Sequence, residues 1–135
     1  MTLVEVVVAL FIAGLTMAGI VSGYKYCLAS SVKDSLYMAA NAQAQQRLEQ
    51  TRAAQWVVYG SSPIDQLTAS NFPDEVVVLD RYASSTNQLT ATLQTYITPI
   101  SVIPPMRRVR VDCVWLFNGV DPITNSIETE RAPTQ

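Results

Sequence analysis

The chain predicts an α+β fold: one long amino-terminal α-helix, membrane-like in its first half and amphipathic in its second, packed against a small antiparallel sheet of three or four strands. Three observations predict it. Residues Val6 to Tyr24 carry no charged side chain. The stretch that follows has no Pro, and no Gly between Gly23 and Gly60, so nothing breaks the helix at the end of the apolar run. Near the carboxyl end, MRRVRVDCVWLF alternates apolar and polar residues, the period of a strand with one face against a core.

The first element is the apolar one. At about 1.5 Å per residue, a helix through Val6 to Tyr24 crosses roughly 30 Å of hydrocarbon, enough to span a bilayer. A secretory signal peptide would show a basic amino end, a shorter apolar core and an Ala-x-Ala cleavage site, and none of these is present. Residues 1–27 therefore form a hydrophobic transmembrane or core helix, and residues 28–135 a globular head. In the head, Ala29, Val32, Leu36, Ala40, Ala44 and Leu48 recur at three- and four-residue steps, while Lys33, Asp34, Asn41, Gln45, Gln46 and Glu49 fall largely elsewhere. Alanine lets a neighbour approach closely but buries little area, so a broad flat partner such as a sheet must cover this stripe. The helix is expected to run to about Val58, before Gly60, Ser61, Ser62 and Pro63.

Beyond that break, SSPIDQLTASNFPDE is turn-rich and Val76 to Tyr82 reads as a β-branched strand. TLQTYITPIS and MRRVRVDCVWLF are two more strands, the latter placing Val109, Val111, Cys113, Trp115 and Phe117 on the core side. Asn118-Gly119 is a hairpin-turn dipeptide, and the tail NSIETERAPTQ returns as a short charged edge strand. Trp56 and Trp115, with Tyr82, are expected in the core; Tyr24 and Tyr26 sit where an aromatic membrane belt belongs.

Composition excludes several function classes. The net charge is −2 with no run of like charge, which gives no support for a nucleic-acid surface. Histidine is absent, and no Gly-x-Ser-x-Gly, P-loop or Gly-x-Gly-x-x-Gly occurs, so the chain reads as a non-enzyme with no cofactor. Arg107, Arg108 and Arg110 fit a solvated strand face better than a grip on DNA or an acidic neighbour. Asn118, Asp121, Asn125 and Glu128 offer oxygens of the kind calcium prefers, but at a spacing that matches no known loop, so no metal site is assigned.

One residue resists the anchor reading. Glu5 is the single charge between Met1 and Tyr24, in a setting where a carboxylate costs free energy. Its start, MTLVEVVVAL, followed by an unbroken apolar helix, resembles the mature amino terminus of type IV pilins and pseudopilins. AQAQQRLEQTRAAQW and MRRVRVDCVWLF resemble, less specifically, the minor pilin and pseudopilin subgroup called V in pili and I in type II secretion. The likeness is strong over about the first thirty residues and is one of layout beyond them, the pilin fold. It implies that Met1 is the first mature residue, exposed by prepilin peptidase and N-methylated. The subunit would wait in the bacterial inner membrane, single-pass with its head outside. It would then be extracted by an assembly machinery into an extracellular helical filament of copies of itself or related pilins. There Glu5 would meet the terminal amine of a neighbour, an assembly pair of Met1 and Glu5. The chain's own helix rises away from its terminus, so that amine is expected from another chain. An alternative role is a minor pseudopilin that primes or caps a type II secretion or competence pseudopilus; a more distant one is a bitopic receptor with no filament.

Gly14, Gly19 and Gly23 carry two readings. Small residues let helices pack closely in lipid, and glycines weaken a helix where resembling pilins lose helicity during assembly. Ser22 stands where many such pilins carry a proline. Cys27 and Cys113 also carry two: a disulfide, feasible in an oxidising compartment, or two thiols.

Overall fold

A computed structural model describes residues 2–59, 62–80, 88–117 and 121–134. It shows the expected α+β arrangement, a long helix and a small antiparallel sheet. By compactness the chain divides into two units, Met1–Ser35 and Leu36–Gln135.

The first unit is helix alone. Helix α1 spans Leu3–Ala53, and every described residue from Thr2 to Val32 is exposed. Leu3, Phe11 and Ile20 are 82%, 67% and 66% exposed, an apolar surface with nothing laid on it. This part of α1 is long and apolar enough to cross a membrane.

In the second unit, α1 supplies Leu36, Ala40, Ala44 and Leu48 to the core, four residues apart on one face. Ala29 and Val32, which continue the same stripe in sequence, are exposed; burial begins only at Leu36. The covering layer is the sheet β3 (Glu75–Val78), β4 (Thr90–Val102), β5 (Pro105–Phe117) and β6 (Asp121–Arg131), in the order β3-β4-β5-β6 with every pairing antiparallel. Alternation on β5 holds as expected: Val109, Val111, Cys113 and Trp115 are at most 1% exposed and face α1 with Ala91 and Leu93. Trp115 meets Tyr37 and Phe117 edge-on, with ring centroids 5.4 and 6.2 Å apart. Ala40 and Ala44 are fully buried, which is how a flat sheet approaches the helix closely.

Four boundaries differ from expectation. Helix α1 stops at Ala53 rather than near Val58, because residues 55–57 are taken by other partners. Trp56–Val57 (β1) pairs with Ile64–Asp65 (β2), Gln66 N–H donates to the Gln55 carbonyl at 2.8 Å, and Thr134 N–H donates to the Trp56 carbonyl at 2.8 Å. The turn-rich stretch thus holds a short strand and a 3₁₀ turn, Ala69–Asn71. The tail is a full edge strand, not a short one. The strand expected over Val76 to Tyr82 also ends earlier, at Val78, with Leu79 and Asp80 beyond it; Tyr82 and the Asn118-Gly119 turn lie outside the described residues.

Candidate functional site

The amino-terminal turn is built around Glu5. Thr2 N–H donates to Glu5 Oε2 at 2.8 Å, and Glu5 N–H donates to Thr2 Oγ1 at 3.4 Å. This is a reciprocal capping box, which satisfies orphan N–H groups of the first turn and sets a carboxylate at the positive end of the helix dipole. The chain's own backbone provides a donor, because a three-residue step folds the side chain back over the helix start. That donor is neutral, and among the described residues no cation lies within salt-bridge distance of Glu5. Met1 lies outside the described residues.

Around it the helix surface is open. Gly14, Gly19 and Gly23 are all helical, and a Cβ added at any of them would meet nothing within 4 Å. The surface is thus free for a close neighbour, and the loosened helix that glycines would favour is absent from this structure. Thr16 closes its own hydroxyl onto the Ala13 carbonyl at 2.8 Å, so it adds no unsatisfied group to the apolar face.

The two cysteines are thiols, not a disulfide. Cys27 is exposed on α1, whereas Cys113 is fully enclosed on the core face of β5. Burial pushes the Cys113 thiol up to about 11.

Arg108 and Arg110 are exposed, as a solvated strand face requires, whereas Arg107 is partly buried. Arg107 grips Asp65 through two nitrogens at 2.7 and 2.6 Å, donates to the Leu67 carbonyl at 2.6 Å, and lies 4.5 Å over the Trp56 ring. It ties the β1–β2 ribbon to β5. Arg110 stacks 5.0 Å over Tyr96 and donates to the buried Asp112 at 2.8 Å, and Arg108 pairs with Glu130 at 3.2 Å. Arg47 and Thr51, absent from the predicted stripe, are buried on α1. Arg47 donates to Gln50 Oε1 at 3.1 Å and to the Pro73 carbonyl at 2.5 Å, and pairs with Glu75 at 3.4 Å.

Asn125, one of the oxygen donors weighed for calcium, is instead 7% exposed in a polar chain through the core. Trp115 Nε1 donates to Asn125 Oδ1, and Asn125 Nδ2 donates to Asn41 Oδ1, both at 3.0 Å. Among the described residues no cluster of three or more His, Cys, Asp or Glu forms. An open groove of about 600 Å³ lined by Gln43, Gln46, Val77, Val78 and Gln88 offers only amides and valines. The features with chemistry to offer are thus the Glu5 turn and the bare apolar helix behind it. Compared with protein-family models, with curated proteins and with solved structures, the chain finds no match in any of the three.

Proposed function

We propose that the chain is a structural subunit of a type IV pilus-like filament, in which apolar helices pack together and Glu5 takes the terminal amine of a neighbour. The observation that carries this reading is a carboxylate at the head of a bare apolar helix whose own chain, as described, offers it a hydrogen bond but no opposite charge. In a dry core an ion pair is strong locally, while desolvation offsets much of it. Glu5 therefore fixes the register of neighbouring helices more than it adds stability. Before assembly, the same helix holds the subunit in a membrane, with the capping box closing its first turn.

Glu5→Gln separates the two roles of the side chain. Glutamine keeps an acceptor for Thr2 N–H and loses the charge. The expected outcome is full-length protein in the membrane, an unchanged head melt, and at least tenfold fewer fibres in sheared-surface preparations viewed by negative stain. Normal fibres from this variant would reduce Glu5 to a helix cap and end the reading. Wild-type chain confined to fibre ends would assign it instead to priming or capping.

A further inference from the structure

The head carries two apolar surfaces at opposite ends of one sheet. At one end the β4–β5 hairpin closes through Ile100, Val102 and Ile103, which are 44%, 82% and 90% exposed. At the other, on the face turned away from α1, Val76, Val78 and Leu116 are 68%, 36% and 46% exposed. Register joins these into an uncharged field across all four strands: Val76 opposes Thr92, Thr92 opposes Val114, and Val114 opposes Thr124. Eleven residue steps along β5, from Pro105 to Leu116, separate the two surfaces by about 35 Å.

We infer that the hairpin tip of one copy seats on the uncharged outer field of a second copy, a head-to-tail contact between successive subunits. The inference rests on the filament reading. Two different patches that meet across copies make a heterologous interface, which propagates as an open fibre where a self-complementary patch would stop at a dimer. Charge agrees with this pairing. The tip end holds Arg52, Arg107, Arg108 and Arg131 against Glu49, Asp65 and Glu130. The opposite end holds, among the described residues, Asp80 and Asp121. Size agrees as well. Each patch offers on the order of 400 Å², too little together for a stable dimer, which needs about 1,200 Å² or more. The contact therefore forms where packed helices already hold the heads close, at high effective concentration.

The test uses the full chain with Cys27→Ser, so that the enclosed Cys113 is the remaining native thiol. Ile103→Cys and Leu116→Cys are added singly and together, and sheared fibres are oxidised before denaturing electrophoresis. The double variant is expected to give a ladder of multimers and each single variant monomer. Ile103→Ser with Val102→Ser, both on the surface, should leave the head melt unchanged and shorten sheared fibres several-fold. Fibres of normal length without a ladder would overturn this contact and leave the filament reading standing. Folded protein that makes no fibres at all would overturn both.

Discussion

Arg131 closes the end of the long helix. Its Nη1 donates to the Thr51 carbonyl, which also accepts from Ala54 N–H at 3.3 Å, and, at 3.1 Å, to the Ala54 carbonyl just past the last turn. Replacing it with alanine removes two charge-assisted hydrogen bonds, worth about 1.5 to 3 kcal/mol each at most. A cation at a helix carboxyl end adds about 0.3 to 1 kcal/mol. Two effects work against this. Burial and the nearby positive Arg52 lower the pKa of Arg131, so the folded protein already holds that charge at a cost. Both bonds share one nitrogen and the side chain is only half-buried, so water replaces part of what is lost. The net loss is about 2 to 3 kcal/mol. For a head of this size, about 4 to 8 °C accompany each kcal/mol, so Tm should fall by roughly 10 to 20 °C. Near-UV circular dichroism of the full chain in detergent measures the head through Trp56 and Trp115. Arg131→Lys, which keeps the charge but not the planar fork, should recover part of the loss. A Tm within about 2 °C of wild type for Arg131→Ala would show that the carbonyls simply rehydrate, and the helix end would need another explanation.

Three further outcomes are expected. Val111 is fully buried, so Val111→Asp should abolish the cooperative melt by placing an unpaired charge in the core; a normal melt would mean the strand faces the other way. At pH 8 a maleimide should label Cys27 and spare Cys113 until denaturant is added, as peptide mapping would reveal, and Cys113→Ser should leave the labelling unchanged. For Asp65, the hydrogen bond from Arg107 holds the carboxyl below its usual value, and its folded pKa lies below its unfolded one. Its contribution is present above about pH 4 and is lost as pH falls through the folded pKa. The pair is partly exposed, so Asp65→Asn should shallow the acid limb of a melt-against-pH curve by less than about 1 kcal/mol.

The residues read most clearly in advance were those whose role is local. Leu36, Ala40, Ala44 and Leu48 are set by helical period, and Val109, Val111, Cys113 and Trp115 by strand period; burial of one face is a property of each element's own repeat. Periodicity does not carry the extent of the covering layer. Ala29 and Val32 keep the stripe's spacing yet stay exposed, because burial on α1 starts only at Leu36. Nor does it carry polar partners drawn from far along the chain. Arg107 is separated from Asp65 by 42 positions and Asn125 from Asn41 by 84, and each reads in isolation as a surface residue. The one signal available for Arg107 was its nearness in type to Trp56 and Asp65, and nothing in sequence spacing joins them.

The sequence by itself determined an apolar helix with one acid at its start, an alanine stripe that asks for a flat partner, and strands phased to supply it. Those follow from side-chain chemistry repeated at 3.6 or 2 residues, which needs no knowledge of distant neighbours. Only the tertiary structure decided where the helix ends, which arginine is anchored, that the Cys113 thiol is enclosed, and that Glu5 closes its own first turn. Each of these depends on which hydrogen-bonding group arrives within about 3 Å, and that distance is set by the packing of the whole head or by the folding of a turn, not by composition.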